Sequence, residues 1–222
     1  KFIRRDPVGT VLVVAPWNYP YLTAINSVVP ALLAGNTVIM KHASQTLLCA
    51  ERFSEACAAA GFPDGVFQHI HASHGAVERM ISDSRINFVV FTGSVQGGAA
   101  MEQAAAGRFI GVGTELGGKD PGYVMEDADV DAAVATLMDA AMYNSGQCCC
   151  GIERIYVNEG LYDEFVEKAV NTVKQYKLGN PLEQETTLGP MANVRFASEV
   201  RAQISEALAD GATAMIDPAL FP

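Results

Sequence analysis

The sequence contains no uninterrupted apolar run of the roughly 18 residues that a membrane-spanning helix needs. Asn26, Asn36 and Asp139 interrupt the best candidates, and the N-terminal stretch 1–6 is charged, unlike a signal peptide. Positive charge is also scarce, because 15 lysine and arginine residues stand against 25 aspartate and glutamate residues, a formal net charge of −10. Such an excess repels phosphate backbones and anionic lipid, so we expect neither nucleic acid nor a membrane as a partner.

Cysteines are few and do not form the pattern of a secreted disulfide framework. The five of them lie at positions 49, 57 and 148–150, an odd number with three in a row. This arrangement predicts a reduced, cytoplasmic protein. Consecutive cysteines also lack the spacing of a zinc site, and the four histidines lie far upstream of them, so we expect no metal centre.

The first half of the chain predicts an α/β fold, because short β-rich segments alternate with helix-length segments of small residues. Loops that follow parallel strands gather at one end of a sheet, where doubly wound folds bind nucleotides. We therefore expect a Rossmann-like parallel sheet that brings loops 16–19, 41–46 and 92–98 together. The predicted strands are 11–15, 37–40, 66–70 and 88–91, and the predicted helices between them are 23–34, 47–60 and 75–82.

The pattern changes after Gly118. A strand at 122–125 is followed by a helix that begins near Val130 and stops at Asn144, then by a strand at 154–157 and an amphipathic helix over 161–173. We place a domain boundary here. Residues 1–118 are predicted to form a nucleotide-binding domain, and residues 119–222 the first part of an α/β catalytic domain.

One segment of the second half could supply a nucleophile. In Gly146-Gln147-Cys148-Cys149-Cys150 a thiol lies at a turn directly after a helix, where it can be exposed and act as a thiolate. The alternative is that these cysteines are small buried hydrophobic residues.

Three segments of the first half could act on a substrate or a cofactor. Glu115 lies among glycines in 113–119 and could serve as a general base, or be an ordinary surface carboxylate. Asn18 lies in the proline-flanked segment 16–20 and could bind an oxyanion, or belong to a rigid turn. Segment 91–98 passes from a strand through a glycine to a helix start, where free N–H groups can receive phosphate, although it matches no standard glycine fingerprint.

Taken together and in this order, the four segments resemble those of the aldehyde dehydrogenase superfamily. The resemblance implies that Cys149, two residues after Gln147, is the nucleophile. It implies that Glu115 in the Glu-Leu-Gly-Gly-Lys segment is the general base. Asn18 is then the amide that stabilises the oxyanion together with the Cys149 backbone N–H. No metal ligand is implied.

The same resemblance implies a binding site for NAD or NADP in which Lys41 bonds the adenosine ribose. A glutamate is common three residues after that lysine, but Ser44 stands there in this chain. Its absence removes repulsion toward a 2′-phosphate, so we expect NADP to be tolerated, with His42 as an additional phosphate neighbour. The expected cofactor-binding residues are Pro16, Trp17, Lys41, Ser44, Gly93, Ser94, Gly98 and Leu116.

The implied reaction is oxidation of a small-molecule aldehyde to a carboxylic acid with NAD(P)+, through a cysteine thiohemiacetal and a thioester. The segment that begins at Lys41 is similar to that of semialdehyde dehydrogenases. Two alternatives stay open: a CoA-acylating aldehyde dehydrogenase and a non-catalytic homologue. Subunits of the family are longer, so we expect this chain to be a truncated form or fragment of a homo-oligomeric enzyme, a dimer or tetramer, and to be inactive or nearly so alone.

Overall fold

The computed structural model describes residues 2–220. The chain divides into two compact units, Lys1–Gly117 and Gly118–Pro222. Within the described residues, no helix combines the length and the apolar character needed to cross a membrane.

The first unit is built on a sheet of five strands, all paired in parallel, in the order β3-β2-β1-β4-β5. The predicted α/β fold with a parallel sheet is therefore confirmed. Strand β5 was not predicted, because its two glycines and Glu115 are poor strand formers and only its pairing with β4 overrides that tendency. The strands are β1 Thr10–Ala15, β2 Thr37–His42, β3 Phe67–Ile70, β4 Phe88–Gly93 and β5 Gly111–Leu116.

Helices cover both faces of this sheet. They are α1 Leu22–Leu33, α2 Leu47–Ala59, α3 His74–Ser82 and α4 Val95–Ala105. Successive side chains of a strand point to opposite faces. Val11 and Val13 of β1 therefore pack in one core with buried residues of α1 and α2. Leu12 and Val14 pack in a second core with buried residues of α3 and α4.

Up to residue 220, the second unit contains a two-stranded parallel sheet and three α-helices. A single core joins Val124 of the first strand to Val134 and Met138 of the helix that follows and to Phe165 of the next helix. The expected strands and helices up to residue 173 are present, whereas the last helix was not predicted and buries no residue. The elements are β6 Asp120–Val124, α5 Val130–Met142, β7 Ile152–Val157, α6 Tyr162–Val173 and α7 Val194–Ala209.

Candidate functional site

The parallel register of the first unit aligns the carboxyl ends of four strands. Ala15 of β1 lies opposite His42 of β2, and Gly93 of β4 lies opposite Leu116 of β5. The chain runs outward from β1 in one direction to β2 and β3 and in the other to β4 and β5. The strand order thus reverses between β1 and β4, and such a switch point is where open α/β sheets bind ligands, outside the carboxyl ends of the strands.

The segment after β1 contributes the first group of candidate residues to this edge. Pro16 is buried, and Trp17 and Asn18 are half-buried. One strand away, Lys41 pairs with Val14 of β1 and is itself buried at 7% exposure, so desolvation lowers the pKa of its ammonium group. A lysine is rarely buried so completely without a partner for its charge, which makes Lys41 a candidate ligand-binding residue.

Ser44 follows two residues after β2 ends, and its side chain is exposed. The register places its loop at the same sheet edge as Lys41 and the segment after β1. A hydroxyl rather than a carboxylate therefore faces solvent here.

His42 is not available to a phosphate group, so that expectation is wrong. The ring is fully buried, and both of its nitrogens are bonded within the chain. The Ala43 N–H donates to Nδ1 over 3.0 Å, which fixes Nδ1 as an acceptor also of the Thr46 hydroxyl at 2.8 Å. Nε2 then carries the hydrogen and donates to the Pro20 carbonyl oxygen over 2.8 Å.

His42 therefore ties the loop after β1 to the loop after β2. Desolvation, reinforced by the charge of Lys41, lowers the pKa of His42 against the opposing effect of the Pro20 bond, so the ring is neutral. The residue positions the segments that carry Asn18 and Lys41. Sequence reasoning missed this role, because a histidine beside a candidate ribose lysine suggests a ligand contact more readily than a buried link.

The turn from β4 into α4 requires glycine for close packing. A Cβ on Gly93 would lie 2.7 Å from Phe91 Cζ, and one on Gly97 would lie 2.5 Å from the same atom. A Cβ on Gly98 would lie 2.8 Å from Leu116 Cδ2, which brings α4 close to β5. Ser94 caps the helix, because its side chain accepts the Gly97 N–H over 3.1 Å.

Glu115 lies on β5 rather than in a loop. It is opposite Thr92 of β4, and its side chain is exposed at the carboxyl end of the strand. Leu116 follows it, half-buried and opposite Gly93. The two residues therefore lie beside the β4–α4 turn.

The cysteines of the second unit lie on a tight turn after α5. The helix ends at Met142, and shortly after it Asn144, Ser145 and Gly146 adopt left-handed backbone, with φ of 52°, 58° and 74°. The Gly151 N–H then donates to the Cys148 carbonyl oxygen over 3.3 Å. This bond closes a turn with residues 149 and 150 at its tip.

The three thiols of this turn differ in their surroundings. Cys149 is exposed, so the alternative of a buried hydrophobic residue does not hold for it. The Sγ atoms of Cys148 and Cys150 are 3.4 Å apart. This hydrogen bond, together with the charge on Cys148, raises the pKa of Cys150 to about 11. Cys150 is therefore a protonated thiol near neutral pH and a poor nucleophile.

Gln147 anchors the cysteine turn through its side chain. Its Nε2 donates to the Asn144 carbonyl oxygen over 2.9 Å, and its Oε1 accepts the Ala192 N–H over 2.9 Å. The neighbouring Ser145 hydroxyl donates to the Gly189 carbonyl oxygen over 2.6 Å. The motif around Cys149 includes Gln147, but the hydrogen bond between Gln147 and Ala192 could not be predicted from the sequence.

The first unit thus brings the expected residues from four loops and strand ends to one sheet edge, while Cys149 belongs to the second unit. The residues at the edge are Pro16, Trp17, Asn18, Lys41, Ser44, Gly93, Ser94, Gly98, Glu115 and Leu116.

Comparison with known proteins identifies relatives of this arrangement. The family model described as "Aldehyde dehydrogenase family" matches residues 1–219. Succinate-semialdehyde dehydrogenase [NADP(+)] 1 of Mycobacterium tuberculosis H37Rv is 39% identical over 209 residues, covering 94% of this chain and 46% of the relative. Succinate semialdehyde dehydrogenase [NAD(P)+] Sad of Escherichia coli K12 is 37% identical over 214 residues, covering 96% of this chain and 46% of the relative.

A solved structure gives the same result. Aldehyde dehydrogenase C of Pseudomonas syringae, crystallised as a mutant with NAD+ and octanal, superposes with a TM-score of 0.92 at 33% identity, covering 96% of this chain and 44% of that one. The chain thus spans a little under half the length of the relatives it matches. Because the family model matches nearly every residue, the chain belongs to the aldehyde dehydrogenase family.

Proposed function

We propose that the whole protein oxidises an aldehyde to a carboxylic acid with NAD(P)+, with residues 1–118 as the cofactor-binding domain and 119–222 as part of the catalytic domain. The observation that carries the proposal is the exposed Cys149 at the tip of an anchored turn. The resemblance of Gly146-Gln147-Cys148-Cys149 to the family's motif supports Cys149 as the nucleophile, and the raised pKa of Cys150 argues against its neighbour.

The proposed chemistry divides between three residues. The Cys149 thiolate adds to the carbonyl carbon, and the Asn18 amide and the Cys149 backbone N–H donate hydrogen bonds to the alkoxide of the thiohemiacetal. Loss of hydride from this carbon leaves a thioester. Glu115 removes a proton from water, which attacks the thioester and releases the acid and the thiolate. When bound, NAD(P)+ supplies the hydride acceptor.

The residues of the first unit fit such a cofactor. The β4–α4 turn lacks Cβ atoms at Gly93 and Gly97, where any side chain would collide with Phe91. These glycines let the turn pack on the Phe91 ring, and the N–H groups at the start of α4 that Ser94 does not bind are the candidates to receive phosphate. Lys41 adds a buried cation. We propose Pro16, Trp17, Lys41, Ser44, Gly93, Ser94, Gly98 and Leu116 as the cofactor-binding residues.

We further propose that NADP+ is accepted, because the exposed residue at position 44 is a serine. The names of the mycobacterial and Escherichia coli relatives support this, since they specify NADP(+) and NAD(P)+. Ser44→Glu should raise the KM for NADP+ about 10-fold through like-charge repulsion, and the neutral Ser44→Gln should not. Strict use of NAD+ by the unaltered protein, with no NADP+ turnover, would contradict the proposal.

The relatives' names also support a semialdehyde, succinate semialdehyde among them, as the substrate. We propose that the protein works in the cytoplasm, which is supported by five free cysteines, and as a homo-oligomer. Steady-state assays with aldehydes that carry or lack a distal carboxylate test the first point. Analytical ultracentrifugation of the full-length protein tests the last.

The mechanism is tested by trapping the thioester. In the full-length Glu115→Gln variant, aldehyde and NAD(P)+ should produce one equivalent of NAD(P)H and a mass increase on the peptide that contains Cys149. The same reaction with Cys149→Ser should give neither signal. Modification of Cys148 or Cys150 instead of Cys149 would refute the assignment, and complete absence of reaction in the unaltered protein would favour a non-catalytic homologue.

The CoA-acylating alternative predicts a different product. Hydrolysis needs a base to activate water, whereas a thiol acceptor needs that base less, so an exposed Glu115 favours hydrolysis. Product analysis with and without CoA separates the two reactions. Formation of an acyl-CoA in place of the free acid would refute hydrolysis.

A further inference from the structure

A second group of polar side chains lies on the outer strand of the first unit, on residues that the proposed chemistry does not use. Side chains of β3 and the residue beyond it alternate, and three of them, at positions 67, 69 and 71, contact side chains of α2. Phe67 faces Phe53, with ring centroids 6.3 Å apart. His69 Nδ1 lies 2.6 Å from the Ser54 hydroxyl, and His71 follows on the same side of the strand.

The polar end of this series forms a cluster of three metal-ligating side chains. His71 Nε2 lies 3.0 Å from Glu51 Oε1, and the rings of His69 and His71 have centroids 5.4 Å apart. One ligand atom from each of the three residues lies within 4.8 Å of the others. An ion pair between exposed side chains contributes little by itself, so stability alone does not explain two imidazoles and a carboxylate in this arrangement.

The donor set is that of a zinc site. Zn²⁺ takes imidazole nitrogen and carboxylate oxygen at about 2.0–2.2 Å, commonly with three protein ligands and an open fourth position. The donor atoms must move somewhat closer together around such an ion. Two of them can do so, because the side chains of Glu51 and His71 are 37% and 39% exposed. The net charge of −10 also attracts cations to the chain.

Ser54 adds the outer contact that metal-binding histidines usually have. A hydrogen bond on one ring nitrogen fixes the orientation of the imidazole and leaves the other nitrogen for the ion. For His69 this bond runs from Nδ1–H to the Ser54 hydroxyl oxygen, which leaves Nε2 without a hydrogen and able to bind the ion. The site is contained in the first unit, one strand away from Lys41, which pairs with Ile70.

We propose that Glu51, His69 and His71 bind one Zn²⁺ ion and thereby join α2 to the outer strand β3. This goes beyond the proposed oxidation and does not depend on it. It also departs from the expectation of no metal centre, which considered the cysteine spacing and not the pair of alternate histidines on a strand. The helical carboxylate lies 18 and 20 residues upstream of the two histidines and is brought to them by the fold.

The test titrates the full-length protein, stripped of metal with a chelator, with Zn²⁺ by calorimetry and with Co²⁺ by absorption. We expect one equivalent to bind, and the Co²⁺ complex to lack thiolate-to-metal charge transfer. His71→Asn and Glu51→Gln should each weaken binding at least about 10-fold, and Ser54→Ala about 10-fold. His74→Asn, on an exposed histidine nearby, should leave the affinity unchanged.

Thermal denaturation tests whether a variant binds less metal because it has lost the site or because it has lost the fold. Zn²⁺ should raise the melting temperature of the unaltered protein and of His74→Asn, because it binds only the folded state, but not that of Glu51→Gln. Without metal, all variants should melt alike. Absence of saturable binding, a thiolate charge-transfer band, or unchanged affinity in both His71→Asn and Glu51→Gln would each overturn the proposal.

Discussion

The two units place their candidate residues by different physical means. In the first, five paired strands with helices on both faces fix the position of every loop at the carboxyl edge. In the second, two strands support the cysteine turn, and the turn itself is held by side-chain bonds from Gln147 and Ser145. The proposed cofactor site therefore depends mainly on strand register, reinforced by the His42 link, whereas the proposed nucleophile is held by local polar contacts.

The units also differ in how well they bury apolar side chains. Leu12 and Met40 of the first unit are fully buried. Helix α7 of the second exposes Val200, Ile204 and Leu208, at 39%, 55% and 44%, four residues apart on one stripe. Substitutions in the two units should accordingly have separable consequences for chemistry and for stability.

The largest expected effect is a loss of turnover that leaves cofactor binding intact. In the full-length protein, Cys149→Ala should lower kcat at least about a thousand-fold, because loss of a nucleophile abolishes covalent catalysis. The dissociation constant for NAD(P)+, measured by fluorescence titration, should stay unchanged. Cys150→Ser is the matched control and should retain activity. Equal loss in both variants would contradict the assignment of the nucleophile to Cys149, and a changed dissociation constant would contradict the separation of the two units.

The second prediction compares the stability lost in the core of the first unit with that lost on the exposed stripe of α7. Leu12→Ala should lower the free energy of unfolding by about 2–5 kcal/mol, because a fully buried side chain leaves a cavity between β1 and its helices. Ile204→Ala on α7 should change it by less than about 0.5 kcal/mol. Chemical denaturation monitored by circular dichroism measures both. A comparable loss for Ile204→Ala would show that another part of the full-length protein covers this stripe.

The link made by His42 should be visible as a pH dependence of stability. Burial lowers the pKa of His42 below its ordinary value of 6.5, so the unfolded chain binds the proton more readily. The contribution of His42 is therefore complete above about pH 6.5 and falls as the pH drops, by at most about 1.4 kcal/mol per pH unit. Denaturation between about pH 7 and pH 5 should show a smaller slope in His42→Gln than in the unaltered protein. Identical slopes would contradict a neutral buried ring.

The smallest expected effect concerns the start of α4. Ser94→Ala should destabilise the protein by about 1 kcal/mol through loss of the helix cap, and Ser94→Gly by only a few tenths. Ser73→Ala removes the equivalent cap of α3, where the side chain accepts the Ala76 N–H, and serves as the control. Both alanine variants should lose similar stability, but only Ser94→Ala should also weaken cofactor binding. If the two alanine variants bind NAD(P)+ with equal affinity, the cofactor phosphate does not bind at the start of α4.

Most strands and helices of the first unit were predictable, because the periodicity of apolar residues and the length of each segment identify short buried strands and amphipathic helices. Strand β5 was not, since Gly111, Gly113 and Glu115 resemble a loop until β4 supplies their partners. Helix α7 was missed in the second unit. The exposure of Cys149 was left open by the sequence, because a thiol that follows a helix can lie inside or outside the packed core.

The sequence by itself determined most of the strands and helices up to residue 173 and the four motifs of the aldehyde dehydrogenase family, because periodicity and residue chemistry are local properties. The tertiary structure alone decided that His42 is a buried link, that Gln147 reaches Ala192, and that Glu51 meets His69 and His71. These are contacts between segments distant in the chain. Their formation depends on strand register and helix packing, which no local pattern specifies.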